Sequence, residues 1–270
     1  MAVNTLLHLA LLAMSPVSMA ATLSKRIIGG GEAQSGEFPY LVGIMNRQKE
    51  VEVSCGGLLL DSKTVLTAAH CATNDTRVLG PQNLRIRAGS LHLQSGGIES
   101  NVSQIVMHPG YNHSTLDSDI AILKLVDPIQ EDLPKISYNT RLADEGSDPA
   151  PNETVVLAGW GVTSDGSKPQ WLKKVEMPVV SREICRESYA KSPSRLPITK
   201  NKICAGKHGS TGCEGDSGGP LISKSSGQVV GIVSHGSGPD CNAPGTFGAY
   251  TRVANYLSFI RENMECGKTC

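Results

Sequence analysis

The sequence has no excess of charge of either sign. Its 270 residues include 25 Lys or Arg and 25 Asp or Glu, so the formal net charge is zero. The first 26 residues hold Lys25 and Arg26 but no acid, which leaves 23 basic and 25 acidic residues and a charge of −2 in the rest. Such an even balance gives no general attraction for nucleic acid or for an anionic membrane. We expect neither as a partner.

Long hydrophobic runs are also missing. The mostly apolar run Leu6–Met14 has nine residues, whereas a helix that spans a bilayer needs about 20. It is followed by Ser18-Met19-Ala20, in which Ser18 and Ala20 are small residues at the positions that a signal peptidase recognises. A buried helix of the mature chain is the alternative, but the cleavage signal favours a signal peptide over residues 1–20. The protein is therefore expected to be secreted.

Patterns typical of metal sites are absent as well. The chain has eight cysteines but no C-x-x-C pair, and its histidines do not cluster at zinc spacing. In an exported protein such cysteines predict disulfides, although the sequence alone does not choose their pairing. From Ala88 to Leu116 the only acid is Glu99, and one carboxylate is too few for a calcium site unless backbone oxygens supply most of the ligands. We expect no metal and no cofactor.

Helical periodicity is rare along the chain, and no repeat or low-complexity tract is visible. Short apolar runs separated by Gly, Pro, Asn and Ser predict an all-β fold of many short strands. The clearest runs are Tyr40–Ile44, Gly57–Leu60, Thr64–Ala68, Asp119–Val126, Val155–Ala158, Val175–Val179 and Val229–Ser234. The exception is Val253–Met264, whose apolar residues recur at helical spacing. This segment predicts a terminal helix packed on the body, with a helix that binds a membrane or a partner as the alternative.

Three segments carry groups suited to nucleophilic catalysis. Ser217 lies among glycines in Gly212–Pro220, where the backbone can turn sharply and bring N–H groups close to a reacting carbonyl. His70 follows Thr67-Ala68-Ala69 and could serve as a base, and Asp119 precedes an apolar run and could orient it. The order required by α/β-hydrolases is excluded, because no acid lies between Ser217 and His235, the only later histidine.

These segments, in the order His, Asp, Ser, resemble those of the chymotrypsin-like (trypsin-fold) serine proteases, and the resemblance extends over Ile27–Met264. It implies two six-stranded antiparallel β-barrels and a C-terminal α-helix, with the catalytic residues in the cleft between the barrels. The implied protease domain covers 27–270, with barrels at about 27–140 and 141–252 and the helix at about 253–264.

The resemblance implies a role for each member of the triad. Ser217 is the expected nucleophile, His70 its base, and Asp119 the group that orients His70. Asp117 competes with Asp119, since both would face the same side of an extended segment, but only Asp119 leads directly into the apolar run. The backbone N–H groups of Gly215 and Ser217 are expected to form the oxyanion hole.

The resemblance also implies activation by proteolysis. Arg26-Ile27-Ile28-Gly29-Gly30 resembles the activation site of the family, so residues 21–26 would be a short propeptide. Cleavage after Arg26 would free the amine of Ile27 to pair with Asp216, beside the nucleophile. The alternative interpretation is that Asp216 is an ordinary turn residue.

Three disulfides follow from the same resemblance. The implied pairs are Cys55–Cys71, Cys185–Cys204 and Cys213–Cys241. Cys266 and Cys270 have no counterpart in this pattern. A local bridge between these two is favoured, with free thiols or a link to a second chain as alternatives.

The residues around the specificity pocket are also implied by the resemblance. Thr211, six residues before Ser217, takes the position at the base of the pocket where trypsins have an Asp. Ser234 and His235 are expected along the substrate cleft, and Gly236 and Gly248 are small enough to keep the pocket open.

A neutral residue at the bottom of the pocket predicts cleavage after Phe, Tyr, Leu or Met, because a buried substrate lysine would find no opposite charge there. Tryptic cleavage after Lys or Arg, assisted by Asp240 or Glu214, is the alternative.

The sequence therefore predicts a secreted serine endopeptidase made as a zymogen. Its expected partners are protein and peptide substrates, protease inhibitors and an activating protease, and we expect a monomer. A catalytically inactive relative that acts as a binding protein is one competing hypothesis, and an esterase is another. Four sequons allow N-glycosylation, at Asn74, Asn101, Asn112 and Asn152.

Overall fold

The computed structural model describes residues 30–47, 53–74, 76–163, 166–238, 240–241 and 243–264. The predictions for the signal peptide, for the propeptide with Arg26 and Ile27, and for Cys266 and Cys270 concern residues outside this part of the chain.

The described residues form fifteen strands and two α-helices, with short 3-10 turns at Ala69–Ala72, Pro81–Asn83 and Val253–Asn255. The strands are β1 (Gly31–Glu32), β2 (Leu41–Asn46), β3 (Val53–Asp61), β4 (Thr64–Thr67), β5 (Thr73–Asn74), β6 (Arg77–Val78), β7 (Leu84–Ala88), β8 (Ile98–Met107), β9 (Ala121–Leu125), β10 (Thr154–Gly159), β11 (Lys173–Val180), β12 (Lys202–Ala205), β13 (Pro220–Ser223), β14 (Val229–Gly236) and β15 (Gly248–Arg252). The helices are α1 (Arg182–Lys191) and α2 (Leu257–Glu262).

The first barrel is a closed antiparallel sheet in the order β2-β3-β4-β9-β8-β7. Strand β7 shows how this barrel encloses a core. Leu84, Ile86 and Ala88 are buried, while the alternate residues Arg85 and Arg87 are partly exposed. This alternation has the period of two that places successive side chains on opposite faces of a strand.

The second barrel has the strand order β11-β10-β13-β14-β15-β12 and is closed by pairing of β12 with β11. Its core includes Leu157, Val175, Leu221 and Tyr250, all nearly inaccessible to solvent. The prediction of two six-stranded antiparallel barrels is confirmed. The short strand β1 differs from the expected division, because it pairs with β11 of the second barrel although it precedes the first barrel in sequence.

The C-terminal helix is shorter than expected, but it packs on the body as predicted. A 3-10 turn covers Val253–Asn255, and α2 ends at Glu262. Val253, Leu257 and Ile260 are buried in a cluster that includes the core of the first barrel. Neither helix in the described part of the chain has the length and apolar character needed to cross a bilayer.

Helix α1 was missed by the sequence analysis, which placed helical periodicity only at the C-terminus. Ser181 caps this helix by accepting a hydrogen bond from the Ile184 N–H at 3.3 Å. Only Cys185 and Tyr189, four residues apart, are buried on it. Two buried residues give too narrow a stripe to stand out against the surrounding polar residues.

The three expected disulfides are present. They join Cys55 to Cys71, Cys185 to Cys204 and Cys213 to Cys241. The first connects β3 to the 3-10 turn that carries His70, and the last ties the segment before Ser217 to a neighbouring loop.

Candidate active site

His70 and Asp119 meet because of the pairing between β4 and β9. Thr67 at the end of β4 lies opposite Ala121 at the start of β9, so the residues just beyond these two ends come together. His70 Nδ1 lies 2.8 Å from Asp119 Oδ2, and the His70 backbone N–H donates to Asp119 Oδ1 at 2.9 Å. Both carboxylate oxygens therefore hold the same histidine.

The Asp119 carboxylate is fully buried yet well supplied with donors. Ser234 Oγ donates to Asp119 Oδ2 at 2.6 Å, and Thr251 Oγ1 donates to the Asp119 backbone oxygen at 2.9 Å. Burial alone would raise the pKa of Asp119, but the charge and hydrogen bond of His70, the charge of Lys202 and the hydrogen bond of Ser234 together lower it to about 2. Asp119 is therefore ionised at neutral pH.

Asp117 has different partners. Its Oδ1 accepts from Thr199 Oγ1 at 2.9 Å, and its carboxylate accepts from Asn201 Nδ2 at 3.2 Å. The expectation that both aspartates face one side of an extended segment was wrong, because Ser118 between them has a φ of 49°. This left-handed residue turns the chain.

The Ser217 segment docks against the first barrel through glycine. The Gly56 N–H donates to the Ser217 backbone oxygen at 2.7 Å. Gly218 has a φ of 78°, and a Cβ there would lie 2.2 Å from Thr67 Oγ1 and 2.5 Å from the Gly56 oxygen. Only glycine allows this approach, which brings the serine segment beside the end of β4, three residues before His70.

The backbone around Ser217 offers unused donors. Gly215 has a φ of 97°, a conformation that L-residues rarely adopt. The N–H groups of Gly215 and Ser217 donate to no other residue in the described part of the chain. Two such donors flanking the serine fit the requirements of an oxyanion hole.

Asp216 lies between these two residues and is buried, with 1% of its surface exposed. Its carboxylate accepts from the Gly161 N–H at 2.8 Å and from the Cys213 N–H at 2.9 Å. Burial raises its pKa to about 6, although both backbone hydrogen bonds act in the opposite direction. These two hydrogen bonds alone therefore compensate poorly for the buried negative charge of an ionised Asp216.

A cavity of about 360 Å³ opens beside Ser217. The described residues that line it are Val162, Gly212, Cys213, Glu214, Ser217, Val233, His235, Gly236, Gly238, Cys241, Gly248 and Tyr250. A Cβ on Gly248 would lie 2.7 Å from the Tyr250 hydroxyl, whereas one on Gly236 would meet nothing closer than 3.8 Å. The space in front of Gly236 is therefore open.

The structure divides the predicted pocket residues into two groups. His235, Gly236 and Gly248 line the cavity. Thr211 is buried, with 3% of its surface exposed, and lies one residue before the lining residue Gly212. Ser234 is also buried, but its hydroxyl is directed to Asp119 and not into the cavity.

Tyr250 is a lining residue that the sequence analysis missed. It lies two residues after Gly248 on β15, and residues two apart share one face of a strand. The predicted position of Gly248 could therefore have indicated Tyr250.

Lys202 is the second residue that sequence reasoning missed, and it is completely buried. Its Nζ donates to Ser234 Oγ at 2.9 Å and to Thr251 Oγ1 at 3.3 Å. Lys202 directly precedes the apolar residues Ile203-Cys204-Ala205, which indicate a strand but not the burial of the lysine.

The contacts of Glu99 and Cys71 are relevant to the expectation that the protein binds no metal. Glu99 is paired with Arg85 at 2.8 Å and also with Arg87, so the only acid between Ala88 and Leu116 has two cationic partners. The donor atoms of Cys55, His70 and Cys71 lie within 4.8 Å of one another. The two sulfurs are joined in a disulfide, however, and are therefore not available as thiolate ligands.

Comparison with known proteins gives a consistent picture. A family model described as trypsin matches residues 27–260. The chain is 35% identical to "Trypsin Blo t 3" of Blomia tropicalis over 240 residues, which cover 87% of this chain and 85% of that protein. It is 34% identical to the "Vitellin-degrading protease" of Bombyx mori, over 95% of this chain and 91% of the relative. It is also 34% identical to "Trypsin, alkaline A" of Manduca sexta, over 95% and 99% of the two chains.

Proposed function

Since this chain belongs to the trypsin family of serine endopeptidases, which hydrolyse peptide bonds, we propose that Ser217, His70 and Asp119 are its catalytic triad. The observation that carries this proposal is the contact of both Asp119 carboxylate oxygens with His70: Oδ1 with the backbone N–H at 2.9 Å and Oδ2 with Nδ1 at 2.8 Å. The close approach of Gly218 to Thr67 at the end of β4 supports it, because this contact keeps the Ser217 segment beside a strand end that lies three residues before His70.

The proposed chemistry follows from these contacts. Ionised Asp119 accepts the Nδ1 proton of His70, which leaves Nε2 free to take the proton of the Ser217 hydroxyl. Asp119 then stabilises the imidazolium that forms. The N–H groups of Gly215 and Ser217 receive the oxyanion of the tetrahedral intermediate.

We propose further that the protein is secreted as a zymogen and activated by cleavage after Arg26. The amine of Ile27 would then pair with Asp216. This is supported by the poor compensation of Asp216, a buried carboxylate whose pKa is raised to about 6 by burial. A positive charge beside it would favour the ionised form and hold the loop that carries Gly215 and Ser217.

The preferred substrate is proposed to carry a large apolar or aromatic side chain before the scissile bond. The lining of the cavity is rich in glycine and includes Val162, Val233 and Tyr250. Thr211, which directly precedes the lining residue Gly212, is neutral and buried. Burying a Phe or Leu side chain gains about 1.5–3 kcal/mol, whereas a buried charge without a partner costs several kcal/mol.

Tryptic cleavage is the second candidate. Glu214 is the one acid among the described residues that line the cavity, and it is exposed. Asp240 is exposed and lies outside this lining. An exposed acid is a weak partner for a lysine or arginine side chain at the far end of the cavity, because solvent screens the pair.

The kcat/KM values for peptides that differ only at the residue before the scissile bond test this preference. We expect Phe, Tyr, Leu and Met to exceed Arg and Lys by roughly tenfold or more, from the burial energies above. The Thr211→Asp variant should raise cleavage after Arg, whereas the isosteric control Thr211→Val should leave the preference unchanged. A preference for Arg over Phe in the unaltered enzyme would contradict the proposal. A loss of that preference in Glu214→Gln would then assign it to Glu214.

N-glycosylation is part of the proposal for a secreted protein. The four sequon residues Asn74, Asn101, Asn112 and Asn152 are all exposed, as an acceptor site requires.

A further inference from the structure

A buried ammonium group lies directly behind the proposed triad. Lys202 is the first residue of β12, and none of its surface is exposed. Its Nζ donates to Ser234 Oγ at 2.9 Å, and Ser234 Oγ donates to Asp119 Oδ2 at 2.6 Å. Asp119 Oδ2 also lies 2.8 Å from His70 Nδ1. A continuous line of hydrogen bonds therefore connects the lysine to the catalytic histidine.

The hydrogen atoms along this line can be assigned. Ser234 has a single hydroxyl hydrogen, and ionised Asp119 can only accept, so this hydrogen is directed to Asp119. Lys202 can only donate, and it therefore occupies one lone pair of Ser234 Oγ. His235 Nδ1, 3.0 Å from the same oxygen, donates to the other. His235 Nε2 then carries no proton, and it has no hydrogen-bond partner in the described part of the chain.

No hydrogen bond at the triad depends on the lysine. Without Lys202, Ser234 would still donate to Asp119 and accept from His235. Thr251, whose Oγ1 accepts from Lys202 at 3.3 Å, would still donate to the Asp119 backbone oxygen at 2.9 Å. A side chain of similar length without a charge would fill the same space. What only the lysine supplies is a positive charge in a site shielded from water.

The charged groups around Lys202 come from several elements. Asp119 and Asp117 precede β9, and His235 lies on β14. His70, on the 3-10 turn Ala69–Ala72, contacts Asp119. Arg182 of α1 donates from Nε to the Lys202 backbone oxygen at 2.9 Å, and its Nη2 pairs with Asp148 at 2.7 Å.

Burial lowers the pKa of Lys202 to about 8, although Asp119 and Asp117 act in the opposite direction. Burial and then Lys202 lower the pKa of His235 to about 3, so His235 stays neutral at physiological pH. Lys202 is therefore charged at acid and neutral pH.

We propose that Lys202 is a positioning residue of the active site, whose buried positive charge weakens the negative field that Asp119 exerts on His70. This inference rests on the proposed triad. A second positive charge nearby makes the imidazolium form of His70 less favourable. The lysine thus keeps the histidine available as a base at lower pH than Asp119 alone would allow.

The variants Lys202→Met and Lys202→Gln test the proposal. Methionine removes charge and donor, whereas glutamine removes the charge and keeps a donor for Ser234. In both, we expect the acid-side midpoint of the kcat/KM profile to rise by roughly half a pH unit. Below that midpoint, kcat/KM would be roughly threefold lower, and KM would be unchanged. The unfolding temperature should fall, because buried Asp119 loses a positive charge that stabilises its ionised form, but both variants should still fold.

Lys173→Met is the matched control. Lys173 is also buried, and its Nζ pairs with Glu32 Oε1 at 2.8 Å, but it makes no contact with the triad. This variant should leave the pH profile unchanged even if it lowers stability.

The outcomes separate this inference from the proposed function. If the unaltered enzyme hydrolyses peptides but both Lys202 variants keep its acid-side midpoint, Lys202 only fills space and the inference is wrong. Failure of both variants to fold would also contradict it. If the unaltered, Arg26-cleaved protein neither hydrolyses peptides nor reacts with a fluorophosphonate at Ser217, the proposed function itself fails.

Discussion

Replacing Asp119 with Asn is expected to lower kcat by about 10⁴-fold while the protein remains folded. An Asn side chain can present its NH₂ group to His70 Nδ1, where the carboxylate now accepts at 2.8 Å. The imidazole would then carry its proton on Nε2, the atom that must receive the proton of Ser217. The loss should appear in kcat and not in KM, because Asp119 lies outside the lining of the cavity.

Asp117→Asn is the control for this experiment. Asp117 is two residues away and carries the same charge, but its partners are Thr199 and Asn201. We expect this variant to keep kcat within a few-fold of the unaltered enzyme. A similar loss in both variants, or activity retained in Asp119→Asn, would show that Asp119 does not have the proposed role.

The second large effect is expected at the activation site. An Arg26→Gln protein should be secreted but at least about a hundredfold less active, since the loss of even one oxyanion-hole donor costs about 2.7–4 kcal/mol. The physical reason lies at Asp216. Without the free Ile27 amine, no cation in the described part of the chain offsets the burial of its carboxylate, which raises the pKa to about 6.

Lys25→Gln is the matched control, because it removes the neighbouring positive charge but leaves Arg26 to be cleaved. This variant should become active normally. A sequence cut by an unrelated protease, placed immediately before Ile27, should restore activity only after that protease is added. Full activity of the uncleaved Arg26→Gln protein would refute the zymogen proposal.

The short strands and the segments of the proposed triad could be anticipated from the sequence because their signals are local, whereas the two barrels were implied by the family resemblance. His70 follows an apolar strand, Asp119 precedes another, and Ser217 lies in a glycine-rich segment. Pairing of β4 with β9 then brings the first two together. The choice of Asp119 over Asp117 agrees with the observed contacts, although the left-handed turn at Ser118 was not foreseen.

The role of Lys202 could not be anticipated, because it depends on contacts between distant parts of the chain. A lysine is ordinarily placed at the surface, since burying its charge is costly. Only the folded second barrel shows that β12 lies beside β15, which brings Lys202 to Thr251 and to Ser234 of the neighbouring β14. Tyr250, in contrast, could have been inferred from Gly248, which lies two residues before it on the same face of β15.

Reaction of Ser217 with a fluorophosphonate tests the central claim most directly. We expect the Arg26-cleaved protein to gain one covalent adduct, which peptide mapping should locate at Ser217. The Ser217→Ala protein should gain none, and Asp119→Asn should react far more slowly. Absence of an adduct on Ser217 in the folded, cleaved protein would contradict the account and favour a catalytically inactive relative that acts by binding.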